Sequence, residues 1–445
     1  MRRLGTDEER VRERYDAIVI GAGVSGLCAA LTLQRRGWRV LILERQAQVG
    51  GLCGSWEHQG HRYPIACSDF GSGIVGVLRS LGLELEFVRA RARVVTEQQH
   101  FELPPGGRDL AALLPAVPDL WRLWTSLRAP AGNQTLGDLI DTQVQHGRLA
   151  EQLGALSYAF GLPPHSIPLG ALKQEFAAAQ RYGYQQPLAV RGGIDRVPRA
   201  LASAFQQAGG VLRRGQNVRL LERDKGDHVA LTSDDEFVGR ALLSSQGRWR
   251  DHPAELRPGL CAGLIHLALD PGRAPFPERV HTLTHCPSQP ETWLGALSNG
   301  ELPEAFGFHI SRSEQPLQHG LATVKLAFLM PRGLHAPGTR DSESIVQRIF
   351  SDCEALIPGF GAGLRHWHFV SPHEFEQRHL RSSRIAAFEP SGLIQKPAAF
   401  DPVSGVYHLG NSVGPPGDHM GAAIAASLAA SDSCDRELQR TQPRS

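Results

Sequence analysis

The chain has 445 residues, with 47 basic against 45 acidic side chains and a net charge of +2 at pH 7. That balance sets up no long-range field favouring nucleic acid, and the length suits two interleaved domains rather than one small core. Seven cysteines (Cys28, Cys53, Cys67, Cys261, Cys286, Cys353, Cys434) form no CxxC pair and no repeated spacing, which reads as a reducing, cytoplasmic setting.

The first stretch, Arg2 to Arg14, alternates in sign and lacks the apolar core of a signal peptide, so it reads as a solvated lead-in. An apolar strand, Asp16 to Ile20, then runs into Gly21, Gly23 and Gly26, a helix follows, and a second strand, Val40 to Leu43, ends at Glu44. This is the dinucleotide-binding pattern. Gly21 permits the tight turn, Gly23 lets backbone approach a pyrophosphate, and Gly26 lets the helix pack on the sheet. The phosphates sit on the helix N-terminus, where free N–H groups and the dipole favour an anion. Glu44 accepts hydrogen bonds from a ribose. Because strand, helix, strand and acid fall in register, an ordinary glycine-rich turn is the weaker reading. The chain continues with Gly50-Gly51 and Gly-Leu-Cys-Gly-Ser-Trp-Glu-His-Gln-Gly60, a glycine-bearing loop followed by a hairpin.

The next stretch, 76–185, reads helical: Ile74 to Leu83, Leu110 to Leu127, Thr135 to His146, Arg148 to Phe160 and Leu169 to Ala179. Leu110 to Leu127, rich in Leu and Trp, fits a membrane-dipping amphipathic segment, or core, or a channel lining. No transmembrane helix is evident. Strands are expected at Ala262 to Leu269, Thr292 to Leu297 and Gly320 to Leu329. There is no internal repeat, and the polar tail from Gln439 reads as disordered, with 436–445 set apart from the domains.

Three separated motifs, Asp16 to Gly51, Val190 to Val218, and Val406 to Gly421, resemble in order those of the FAD-dependent phytoene desaturase and amine oxidase superfamily, whose FAD domain is of the glutathione-reductase type. Ser371-Pro372 to Glu376 and the prolines before Gly417 resemble the desaturase-related branch most. The resemblance implies an α/β fold (α+β overall): a Rossmann-like FAD-binding domain from 1–75, 186–262 and 386–435, interleaved with a substrate domain from 76–185 (helical) and 263–385 (strands). It implies a helix opened by Gly192-Gly193 with a following strand near Val218 laid against the adenine, and FAD contacts from Gly21, Gly23, Ser25, Gly26, Glu44, Arg45, Gly50, Gly51, Leu52, Val218, Gly410, Asn411, His419, Met420 and Gly421. Asn411 stands where the superfamily commonly has an acid on the ribityl chain, and retains donor and acceptor capacity. The helix near Gly421 would aim its N–H groups at the flavin edge, where reduction builds negative charge. Arg381 to Phe388 departs from the superfamily's pattern, which leaves substrate identity open.

Three residues are candidates for catalysis. Cys67 is a proton donor, a covalent attachment point, or an inert thiol. Asp69 is a base, an anchor for a cationic substrate, or the N-cap of the helix at Ile74. His419 shuttles a proton or, as imidazolium, stabilises anionic flavin, or is a loop histidine bonded to backbone. Lys325 invites comparison with the lysine near the flavin of amine oxidases, but its surroundings read as an outer strand with the lysine exposed. His366, His368, His373 and His379 cluster in sequence, yet no ligand spacing completes a metal site.

The expected activity is hydride removal from a largely apolar, conjugated or carrier-bound small molecule, the flavin being reoxidised by oxygen, a quinone or another acceptor. Alternatives are an amine or amino-acid oxidase, a redox-neutral isomerase or saturase, and a non-catalytic FAD-binding protein. No second fingerprint for a pyridine nucleotide is present. Peripheral membrane contact and oligomeric state are left open.

Overall fold

A computed structural model describes residues 13–224, 226–246, 260–331, 339–379, 396–415, 417 and 419–441. Strands β1 (Glu13–Ile20) and β2 (Val40–Glu44) lie parallel, and both bury continuous apolar runs, as strands covered on both faces must. Hairpin β3 (Ser55–His58) and β4 (His61–Pro64) follows. Further on, β9 (Val211–Arg214) pairs parallel with β2, and β12 (Glu236–Ser244) pairs parallel with β1. Strands β10 (Leu220–Asp224) and β11 (Asp227–Leu231) extend the sheet antiparallel from β12. Two late strands, β18 (Phe400–Asp401) and β19 (Val406–His408), complete this eight-stranded sheet. Helix α1 (Val24–Arg35) packs on it, followed in the chain by α2 (Gly73–Ser80).

A seven-stranded sheet has the order β17-β13-β16-β15-β14-β6-β7. Its members are β6 (Ala92–Val95), β7 (His100–Leu103), β13 (Cys261–Leu269), β14 (Thr282–His285), β15 (Phe308–Arg312), β16 (Ala322–Met330) and β17 (Leu364–Val370). Strands β5 (Phe87–Arg89) and β8 (Leu188–Val190) form a small connecting pair. Between β7 and β8 lie α3 (Gly107–Ala112), α4 (Val117–Arg128), α5 (Leu136–Gln143), α6 (Gly147–Ala155), α7 (Ser157–Phe160) and α8 (Leu169–Arg181). Helix α9 (Arg196–Gln207) joins the first sheet, and α10 (Pro290–Ser298), α11 (Thr339–Leu356), α12 (Phe360–Gly363) and α13 (Pro372–His379) belong to the second half. Helix α14 (Met420–Thr441) packs back on α1, as α9 does.

Period-two alternation decides what the second sheet shows to each side. Val324, Leu326 and Phe328 of β16, with Phe308 and Ile310 of β15, enter the core with Trp293, Leu294 and Leu297 of α10 and Ile345 and Ile349 of α11. The intervening Lys325 and Ala327 fall on the other face, against which β4 packs.

Several expectations change. Thr292 to Leu297 is not a strand: Pro290 starts a helix there, Glu291 suits its first turn, and the buried Trp293, Leu294 and Leu297 follow a helical period. The segment 76–185 is not wholly helical, because β6 and β7 complete the second sheet. Leu110 to Leu127 is broken into α3, a short 3-10 turn and α4 around Pro115 and Pro118. Val218 lies in a loop before β10 rather than in a strand, its side chain packed against the core cluster that includes Ile18, Leu41 and Phe237. The tail is ordered through Thr441, because Leu438 is buried and Arg240 donates to the Leu438 carbonyl and the Thr441 hydroxyl. Arg2 to Arg12 and Arg381 to Phe388 lie outside the described residues.

Candidate active site

The glycines after β1 build a cradle. Gly21 has φ of +97°, and a Cβ at Gly26 would stand 2.0 Å from the Gly21 carbonyl oxygen, so α1 closes on the turn only with glycine there. A Cβ on Gly23 would meet nothing within 4 Å, which leaves that backbone open to a ligand. Gly23 provides no side-chain cap for α1, and the first turn holds no acid, so the helix end offers its N–H groups and dipole to an anion.

Distant segments close around it. Gly23 bridges Gly50, a Cβ on Gly51 would stand 3.3 Å from the Gly23 Cα, and one on Gly410 would stand 3.8 Å from the Ser25 hydroxyl. Glu44 ends β2 with Oε2 accepting from the Ala22 N–H at 2.6 Å and Oε1 from the Gln46 N–H at 2.8 Å. The loop carrying Val218 is drawn to this edge by the Gln216 N–H donating to the Glu44 carbonyl at 2.8 Å. Asn411 follows Gly410 directly, and Met420 and Gly421 open α14. Arg45 points elsewhere in part: its guanidinium donates to the Arg378 carbonyl at 2.6 Å. The open cradle, free helix end and acid fit the adenosine diphosphate half of FAD.

Leu52 connects the cradle to a second group of side chains. Its carbonyl accepts from the N–H groups of Ala66 at 3.1 Å and Cys67 at 2.9 Å. Lys325 reaches this loop from β16 and donates to the Ala66 carbonyl. The lysine is 2% exposed, so the outer-strand reading is corrected: β16 lies inside the sheet, and β4 with its following loop covers the face that carries Lys325. Burial lowers its ammonium to about 8, against the opposing pull of Cys67 and Asp69. Burial likewise raises the Asp69 carboxyl to about 6, with Lys325 acting the other way. Asp69 is not the N-cap of α2; Ser72 occupies that position. The Cys67 thiol donates to the Asp69 carbonyl at 3.3 Å.

His419 stands at the other side of this group. Its Nδ1 accepts from the Ala422 N–H at 3.2 Å, so the ring caps α14, and burial followed by the Lys396 charge holds it down to about 4. Of the three alternatives for His419, the lowered pKa favours a neutral ring, either bonded to backbone as here or passing a proton, over an imidazolium facing the flavin. Tyr182 and Tyr184, from the end of α8, meet His419 with ring centroids at 5.1 and 4.6 Å. Sequence reasoning missed both tyrosines, which lie over two hundred positions from the motif they face. Burial raises the Tyr184 phenol, and Cys67 and Asp69 raise it further, which joins Tyr184 to the Lys325 group. Buried His266 and half-buried His309, each lowered to about 3 by desolvation, lie on the same sheet. No cluster able to hold a metal occurs among the described residues.

Residues 16–379 match the family described as FAD dependent oxidoreductase. The chain belongs to that family. This FAD-dependent oxidoreductase is 26% identical over 437 residues to phytoene dehydrogenase of Streptomyces griseus, covering 80% of this chain and 82% of that one. It is 25% identical over 291 residues to prolycopene isomerase 2 of an Oncidium hybrid cultivar, covering 53% of this chain. It spans about half (49%) of that isomerase's length. In fold it is similar to cyclohexylamine oxidase from Brevibacterium oxydans, with a TM-score of 0.60, 16% identity and coverage of 96% and 100%. FAD is the cofactor, as the cradle's geometry fits.

Proposed function

We propose that the protein removes a hydride from a small molecule held between its two sheets, with Lys325, Asp69 and Cys67 moving the accompanying proton. The observation that carries this reading is the buried Lys325 on the Ala66 carbonyl, one hydrogen bond from Leu52 of the cradle. Bound FAD supplies the hydride acceptor. Lys325 and Asp69 have pKa values displaced toward neutrality, which suits groups that give and take protons near pH 7. Leu52, Ala66, Leu264, Ala327 and Val370 pack around the same loop as an apolar wall and exclude water from it. Similarity to phytoene dehydrogenase over most of the chain supports a largely apolar, conjugated or carrier-bound substrate. Oxygen, a quinone or another acceptor then takes the electrons.

Amine oxidation is the second reading, favoured by one arrangement: Tyr182 and Tyr184 place two aromatic rings beside His419, and aromatic faces attract a cationic amine. Anaerobic titration of the FAD-loaded protein decides between them. Bleaching of the flavin by polyenes supports the first reading, and bleaching by amines, with peroxide on readmitting air, supports the second. Isomerisation of a polyene only by protein reduced beforehand would replace both with redox-neutral chemistry.

A further inference from the structure

Helices α3 and α4 carry an apolar face that nothing covers among the described residues. Val117, Leu120, Trp121 and Trp124 recur at the spacing of one helix face, and Leu110 and Leu114 continue it onto α3 and the turn between. In a globular helix such a stripe faces the core. Here it is reversed: Leu114 is 67% exposed, Trp121 65% and Trp124 45%, while Ala116 and Leu123 on the other side make the core contacts. The two indoles stack at 5.0 Å between centroids, and the Arg128 guanidinium lies 3.8 Å from the Trp124 ring centre.

The exposed charges on the segment that carries this face have one sign, and the acids of the adjoining α5 are engaged: Asp138 accepts from Thr135 and Asp141 pairs with His165. Between residues 103 and 134, all of which are described, the exposed charged side chains are Arg108 and Arg128. The acids of the segment are withdrawn: Asp119 is buried on Arg122 and on the N–H groups of Gln145 and His146, and Asp109 caps α3 at the Gly106 N–H at 2.8 Å. Lys173 of α8 adds a cation where it donates to the Ala129 carbonyl at 2.6 Å.

We propose that this face docks on the surface of an anionic lipid bilayer, with α4 lying in the interfacial plane. Leucines and paired indoles enter the headgroup boundary while arginines meet lipid phosphates, the pattern of interfacial helices. The face is an exposed stripe whose large side chains stand out to solvent, which suits insertion into a fluid surface. A second copy fits poorly, because two such faces would bring arginines against arginines. No helix among the described residues is long and apolar enough to cross a membrane, so the contact is peripheral. This inference stands apart from the proton chemistry assigned above.

The test is co-sedimentation of the FAD-loaded protein with vesicles of phosphatidylglycerol and phosphatidylcholine, compared with phosphatidylcholine alone. Binding to the anionic vesicles is expected to weaken about tenfold or more in W121S/W124S and to fall with added salt in the wild type. Both substituted positions are exposed, so FAD content and thermal midpoint should stay at the wild-type values and show that the variant is folded. R108Q/R128Q should lose the preference for anionic lipid. The proposal is overturned if the wild type does not sediment, or if the tryptophan variant sediments equally. It is also overturned if the face holds a dimer or an acidic protein partner, either of which W121S/W124S would abolish in light scattering without any lipid.

Discussion

Lys325 and Ala66 lie 259 positions apart and are joined by a hydrogen bond from the lysine ammonium to the alanine carbonyl. One stands on the inner strand of the second sheet, the other on the loop that follows β4 beside the FAD cradle. The bond therefore ties the second sheet to the loop beside the FAD cradle, where the proposed chemistry places substrate and cofactor. A buried ammonium opposes folding when charged, so its position here is better explained by chemistry than by stability.

The first prediction concerns that balance. Lys325 has a folded pKa lowered from 10.5 to about 8, so between those values the unfolded chain binds more protons, and stability rises with pH across that window. Lys325→Met removes the buried charge. At pH 7 the variant is expected to melt at or above the wild-type temperature while losing turnover about a hundredfold or more. The wild-type midpoint should gain on the variant between pH 8 and pH 10. A variant with full turnover would remove Lys325 from the chemistry.

Two glycines separate cofactor binding from folding. Gly23 has φ of −69° and open space at its Cβ position, so Gly23→Ala should fold normally. Its methyl fills the space a pyrophosphate needs, and the FAD dissociation constant should rise about tenfold or more, roughly 1.4 kcal/mol. Gly26→Ala drives a methyl into the Gly21 carbonyl and is expected to lower the unfolding midpoint even without FAD. Flavin release on acid precipitation and thermal melts of the apoprotein measure the two effects.

His419 supplies a third prediction. Because Nδ1 accepts from the Ala422 N–H, His419→Asn keeps an acceptor for the start of α14, whereas His419→Ala should cost about 1 kcal/mol in urea unfolding. Its pKa near 4 means that no inflection between pH 6 and 7 in the activity profile should vanish with His419. An inflection that disappears in the asparagine variant would contradict the neutral ring.

The cradle was legible because its signals are local: glycine positions, a preceding apolar strand and an acid at the end of the next strand lie within Asp16 to Gly51. Lys325 was not legible. Whether a strand lysine is exposed depends on what packs over it, and its cover, the β4 loop, comes from the other end of the chain. Tyr182 and Tyr184 were hidden for the same reason, since only the fold brings the end of α8 to His419. The misread segment Thr292 to Leu297 shows a different weakness: a short apolar run carries little periodicity, and Pro290 was the signal that could have settled it.

The last prediction lies at the seam between the β3–β4 hairpin and strand β17. His58 meets His368 with centroids 4.5 Å apart, and His61 meets His366 at 5.4 Å and His319 at 5.6 Å. His58 is lowered from 6.5 first by burial, then by His368, Arg378 and His366, with Glu374 opposing; His61 is lowered by burial, His366 and His319. Since folding depresses these pKa values, the unfolded chain takes up more protons as pH falls below 6.5, and stability drops with it. The thermal midpoint should therefore be lower at pH 5.5 than at pH 7.5. His266 and His309, also held neutral, act in the same direction. His58→Phe combined with His61→Phe keeps the ring packing, and His61 gives up a buried Nδ1 that has no hydrogen-bond partner. That double variant should show a shallower loss of midpoint over the same pH range. An unchanged slope would mean that the histidine seam opens no more readily when protonated than when neutral.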